Sequence, residues 1–278
     1  MSYKTLFFKW ITEQITNAKR FVSMGGLRWT DYIHDTVIIN LKERKDRRKL
    51  LEPRLKKVKT GELKTLKDDS RYFNAVDKSM INDFPKGIVE KVYDFDYHYE
   101  IDSHEKLKDK YGKGLTLEAS DSEIAISLSH YSIWKDIVEN KTPTTLILED
   151  DVDFNPNLLR ILSKVMDEEL PKDYDLLYLS HIFSHSPVVD DYSENLIKVD
   201  KGVWWLSGYI ITYEGAKKLL EGLPIKGAVD VWINHQFKNM NVFIMKGWLV
   251  YQTNETQSSN YWSFHNNFYR GTIYKDNI

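Results

Sequence analysis

The chain has no cysteine among its 278 residues. That absence excludes disulfides and thiolate metal centres, and it fits a reducing compartment. Nowhere does it hold the ~20 consecutive apolar residues that a membrane-spanning helix needs. Its formal net charge is only −2, so the cationic excess of a general nucleic-acid binder is missing, and no nucleic-acid partner is expected. No Gly-rich phosphate loop follows a strand-like run, which leaves out the P-loop and dinucleotide fingerprints. The first residues lack the unbroken apolar core of a secretory leader, because Lys9, Glu13 and Gln14 interrupt it. Asn140-Lys-Thr and Asn254-Glu-Thr then read as chance matches to glycosylation sequons. The expectation is a cytoplasmic globular chain whose only membrane contact would be peripheral. With 42% hydrophobic and 29% charged residues it can build one sizeable core or two small ones.

What the chain does have is an apolar run, Thr144 to Leu148, that ends in four acids: Glu149, Asp150, Asp151 and Asp153. A strand apolar on both faces belongs in a covered, mostly parallel sheet, and ligand crevices form at the carboxyl ends of such strands. Carboxylates this close repel one another and favour a divalent cation with oxygen ligands. The competing reading is that the acids cap a helix or face solvent. Asp151, Asp153 and Asn155 alternate as in the first half of an EF-hand loop, but Pro156 stands where its turn glycine belongs and Leu162 where its bidentate glutamate belongs.

Residues 1–35 carry Leu6, Phe7, Trp10, Ile11, Ile15, Ala18 and Phe21 at helical spacing, with Gly25 and Gly26 to end the helix. This predicts an amphipathic helical extension, packed on the domain surface in preference to lying at a membrane interface. Residues 36–278 are expected to form a single domain. Thr36 to Leu41 reads as its first buried strand, and it exits into Arg44, Lys45, Asp46, Arg47 and Arg48. Most cations there fit a solvated helix face over the stripe Leu51, Leu55 and Val58. Arg44 and Arg47 lie nearest the strand's carboxyl end, where an anionic ligand would sit.

Residues 60–122 show no clear period and predict long loops. A buried helix follows from Glu123, with Ser120 and Asp121 as capping groups. It carries Ser129 and His130 in its middle, where a histidine serves as readily in the core as on a ligand. Further on, Asn157 to Met166 reads as a helix and Asp175 to Leu179 as a strand. Val203 to Thr212 reads as an apolar stretch in which Gly208 marks a bend or a close backbone approach. Asp230 lies inside the apolar run Val229 to Ile233, which makes it either a base or a helix cap. The tail from Tyr251, rich in Asn, Ser and aromatics and including His265, predicts an ordered loop or lid.

Taken in chain order, an ordered set of motifs is similar to glycosyltransferase family 25. The set is Asn40-Leu-Lys-Glu-Arg44-Lys-Asp-Arg47-Arg48, Asn74-Ala-Val-Asp77, Ser129-His130-Tyr-Ser-Ile-Trp134, Leu148-Glu-Asp-Asp151, Tyr174-Asp-Leu-Leu-Tyr178, Gly208 through Leu220, and Val229-Asp230. The resemblance spans residues 36–255. It implies an α/β fold of GT-A type, with a mostly parallel sheet flanked by helices, here with an extra N-terminal helix. It also implies an inverting transfer of galactose or glucose from a UDP-sugar to a hydroxyl of a saccharide or a hydroxylysine-type acceptor, assisted by Mn2+ or Mg2+. On that pattern Asp151 is the metal ligand, with Asp153 and His265 as further candidates. Glu149 and Asp150 would contact the donor or water on the metal, and Asn40, Arg44 and Arg47 would hold the nucleotide. Ala75 and Asp77 would border uracil and ribose, Ser129 and His130 would lie beside the donor, and Asp230 would be the base. The chain departs from the family in its leading helix and in Ser127, where a small Gly-Cys or Gly-Ala pair is expected. The alternative is a catalytically silent carbohydrate-binding scaffold of the same fold, against which the intact acidic corner and Asp230 both argue.

Overall fold

Eight strands form the central sheet of the structure, a computed structural model that describes residues 29–61, 63–103 and 116–253. The apolar positions that predict the leading helix, and the tail beyond 253 with His265, lie outside the described residues. The strands are β1 (Asp35–Asn40), β2 (Arg71–Asn74), β3 (Thr144–Glu149), β4 (Leu176–Tyr178), β5 (Ile182–Asp191), β6 (Leu196–Trp204), β7 (Gly208–Thr212) and β8 (Val242–Met245). Their order across the sheet is β2-β1-β3-β7-β4-β8-β6-β5.

The sheet is mixed, which corrects the expectation of a mostly parallel one. β1 pairs in parallel with β2 and β3, and β4 with β8, whereas β7 runs antiparallel between β3 and β4, and β6 between β8 and β5. A strand buried on both faces reads as one continuous apolar run whichever way it points, so direction leaves no local trace.

Helices cover both faces. On one, Leu146 and Leu148 of β3 pack with Leu51 and Leu55 of α1 (Lys45–Leu55) and with Leu158 and Leu162 of α3 (Leu158–Lys164). On the other, Ile147 packs with Ile133, Trp134 and Ile137 of α2 (Asp121–Asn140), Leu219 of α4 (Tyr213–Glu221) and Trp232 of α5 (Val229–Gln236). β3 alternates between two cores, and this is why its sequence is apolar without a period. The start of α2 follows from its residues: Ser120 Oγ accepts from the Glu123 N–H, and Glu123 Oε2 accepts from the Ser120 N–H, a reciprocal capping box. Among the described residues no helix is long and apolar enough to cross a membrane.

The segment expected to be long loops instead contains β2, a 3-10 turn at Lys78–Asp83, a helical turn at Phe95–Tyr99 and the antiparallel pair Val92–Asp94 with Thr116–Glu118. Each piece is shorter than the window over which periodicity becomes visible.

Candidate active site

The carboxyl end of β3 is where the acids meet. The Glu149 N–H donates to Ser207 O at 3.0 Å, tying the strand end to the loop that enters β7. Beyond a turn at Asp150 and Asp151, residues 152–154 pair antiparallel with residues 250–252, and Gly208 lets this ribbon approach. A Cβ on Gly208 would come within 2.8 Å of a Val250 methyl group.

Part of the cation that this corner demands is built into the chain. Asp150 is buried; one oxygen accepts from Asn40 Nδ2 at 2.6 Å and the other from Arg47 Nη1 at 2.5 Å. Arg47 Nη1 also stands 3.5 Å from Asp151 Oδ2. Asn40 is engaged too, donating to Arg44 O and accepting from Arg48 Nε. Asp150 and Asn40 therefore brace the exits of β1 and β3 against each other, while Arg47 carries the positive charge of the corner. The Arg44 side chain turns to Asp46 at 2.8 Å, although the charges of Asp150 and Asp151 still act on it.

The remaining carboxylates are under-compensated. Burial pushes Glu149 well above the usual carboxylate range, and the charges of Asp151, Asp230 and Asp150 add to this against the opposing pull of Arg47. Asp151 is raised by burial, with Arg47 and a Gln252 side-chain hydrogen bond opposing and Asp150 adding, and its Oδ1 is buried with no hydrogen-bond partner. An orphaned hard oxygen beside an acid that shares its field fits a divalent cation, provided phosphate oxygens and water complete the shell. Among the described residues no cluster of three or more His, Asp or Glu could hold an ion by protein ligands alone. Asp153 does not join this pair: it is half exposed, accepts from the Phe154 N–H at 2.8 Å and faces Arg54 at 3.8 Å. The strand at 152–154 carries its side chain toward α1.

Asp230 comes to the corner from the far side of the sheet. It is the second residue of α5, whose N-cap is Ala228, so it is not the cap itself. Burial pushes its carboxyl up to about 6, with the Trp205 N–H that it accepts pulling down and the charge of Glu123 pushing up. Its charge acts in turn on Glu149, Tyr178 and Tyr209, which places it in the field of the β3 terminus. A carboxylate titrating just below neutrality is suited to take a proton.

Two expected donor contacts are sealed in the core. Ser129 Oγ accepts from the Val76 N–H and donates to Ala125 O, both at 2.8 Å. It thus positions the Asn74–Asp77 segment. His130 is 1% exposed and held neutral, its pKa pushed down to about 3 by burial, and its Nδ1 meets Tyr209 Oη at 2.8 Å. Trp134 Nε1 donates to the same hydroxyl at 3.1 Å. Both side chains are turned inward by α2 and engaged with the core. Ala75 lies beside the β1 exit, its N–H donating to Asn40 O at 3.1 Å, and Asp77 caps the following turn through the Ser79 N–H at 2.9 Å.

Sequence reasoning missed Asn234, Trp205 and Tyr209. The first had a signal, since Asn234 lies four residues beyond Asp230 and so on the same helix face. The others had none.

Comparison with known proteins matches residues 33–233 to the family model described as glycosyltransferase family 25 (LPS biosynthesis protein). A Xenopus laevis protein named procollagen galactosyltransferase 1-B is 34% identical over 200 residues, which is 69% of this chain and 28% of that protein. A glycosyltransferase 25 family member of Anopheles gambiae is 32% identical over 207 residues, 73% of this chain and 31% of its own. Human procollagen galactosyltransferase 2 is 29% identical over 163 residues, 51% of this chain and 26% of its own. The match thus spans about a third or less of these relatives' length. A solved structure, A197 from STIV, overlaps 46% of this chain and 67% of its own at 15% identity and a TM-score of 0.30, a likeness too distant to bear on the fold.

Proposed function

Because the chain belongs to glycosyltransferase family 25, we propose that it is an inverting hexosyltransferase that moves galactose or glucose from a UDP-sugar to a hydroxyl of a saccharide or hydroxylysine-type acceptor. The observation that carries this reading is the meeting of Asp230, Glu149 and Asp151 at the end of β3, beside the guanidinium of Arg47. Relatives named procollagen galactosyltransferase support the choice of hexose and reaction class.

Arg47 and the β1 exit would receive the diphosphate, with Ala75 and Asp77 bordering the nucleoside. Asp151 would hold Mn2+ or Mg2+ together with the diphosphate oxygens, where the ion would offset charge on the leaving UDP. Glu149, whose carboxyl is pushed well above the usual range by burial and its acidic neighbours, would face a sugar hydroxyl. Asp230 takes the proton of the acceptor hydroxyl as that oxygen bonds to the anomeric carbon. The bond from that carbon to the phosphate oxygen breaks on the opposite face, so the configuration inverts and UDP leaves with the electron pair. Ser129 and His130 support the loops that frame these groups.

Incubation with UDP-galactose or UDP-glucose and Mn2+ should release UDP slowly even without an acceptor. In calorimetry UDP should bind only with the ion present, and Asp151→Ala should abolish that binding. Undiminished metal-dependent binding by Asp151→Ala removes the metal assignment, and no UDP release from any UDP-hexose overturns the activity.

A further inference from the structure

Two non-glycine residues have a positive φ among the described ones: Lys141, which closes α2, and Trp205 at 78°, in the loop between β6 and β7. A bulky side chain in the left-handed region is strained, and it persists only where its surroundings impose it. Asn234 supplies that imposition. Its Oδ1 accepts from the N–H groups of Gly202 at 2.8 Å and Val203 at 3.0 Å. Its Nδ2 donates to Val203 O at 2.8 Å and Asp230 O at 2.7 Å. All of its hydrogen-bonding capacity goes to fastening the end of β6 onto the first turn of α5. The consequence is that Trp205 presents its N–H to the Asp230 carboxylate.

The Trp205 ring then tilts against that of Trp248, with centroids 5.6 Å apart and planes at 55°. Trp248 is met edge-on by Tyr251 at 6.3 Å and His181 at 6.4 Å, yet remains 37% exposed. One residue therefore joins the proposed base, through its backbone, to an open aromatic wall, through its ring. A pyranose has a flat face of C–H groups and a rim of hydroxyls. The face gains from covering an indole, while the rim needs a polar neighbour. A lysine-type side chain offers a thin stem and an ammonium, and it leaves a wall of this width uncovered.

We infer that Trp248 and Trp205 form the acceptor subsite, and that the acceptor is a saccharide whose ring packs on Trp248 with its reactive hydroxyl toward Asp230. The inference rests on the hexosyltransferase reading for the role of Asp230, and it narrows the acceptor to one of the two classes left open there.

Lactose and cellobiose are the probes, with free 5-hydroxylysine as the non-saccharide arm, and saturation-transfer NMR with tryptophan fluorescence in the presence of UDP and Mn2+ as the readout. At least one disaccharide should bind the wild type. Trp248→Ala should weaken it about tenfold, the weight of one aromatic contact, and Trp248→Phe should recover most of that loss. In transfer assays the change should fall on the acceptor KM more than on kcat. Binding of neither disaccharide, equal binding by Trp248→Ala, or transfer to hydroxylysine alone overturns the inference. UDP release without an acceptor is read separately. If it fails while Trp248-dependent lactose binding stands, the hexosyltransferase reading has failed and the saccharide subsite has not.

Discussion

At the amino end of β4, Asp175 is 1% exposed and answered by a cation and a backbone donor: one oxygen accepts from both Lys218 Nζ and the Asn241 N–H at 2.7 Å. At the carboxyl end of β3, Glu149, Asp151 and Asp230 share a field in which the Arg47 guanidinium is already committed to Asp150. The two places lie at opposite ends of one sheet, and since Asp175 is buried while Glu149, Asp151 and Asp230 are only partly so, burial does not explain which end is strained. What differs is compensation. Asp175 has a lysine and a backbone donor of its own and fastens β4 to α4 and to the loop before β8, whereas the corner keeps a buried oxygen of Asp151 without a partner and three acids pushed upward. Surplus negative charge retained at a strand's carboxyl end marks a place for a cationic or proton-donating visitor.

The largest expected effect sharpens the contrast. Asp230→Asn should cut hexosyl transfer by roughly 100-fold or more, with UDP binding nearly intact, since a general base contributes about that much. Steady-state transfer alongside calorimetry checks it, and surviving activity would mean that the base lies elsewhere. The mirror experiment is Asp175→Ala, which should cost roughly 2 kcal/mol of stability by stranding the Asn241 N–H and Lys218, while the activity of the folded fraction stays unchanged. A drop in specific activity instead would erase the distinction between the two ends.

A third test turns on sign. The folded Asp230 titrates at about 6, above an unfolded aspartate near 4, so between those values the folded state holds more protons. Its contribution to stability is therefore greatest below about pH 4 and declines until pH about 6. Replacing it with Asn should leave stability little changed at pH 4 and raise it by roughly 2 kcal/mol at pH 7. Thermal melts at the two pH values measure this, and a variant less stable at pH 7 would contradict it. The smallest effect is the wild-type rate profile, which should fall about tenfold per pH unit below about pH 6.

The sequence by itself determined the parts that depend on neighbours along the chain. The strand running into acids, the basic exit of β1, the capping group at Ser120 and the acid lodged in an apolar run were all legible, because backbone hydrogen bonding and burial impose short periods on local sequence. Tertiary structure alone decided the rest. Asp150 becomes a brace because Asn40 and Arg47 reach it from 110 and 103 residues away. Ser129 and His130 face inward because of what α2 packs against, and β7 runs backwards through the sheet with no mark on its composition. The left-handed Trp205 exists because Asn234 clamps two elements that the chain brings together only when folded. Contacts of that range carry no local signature, and they decide which of several similar acids is left unanswered.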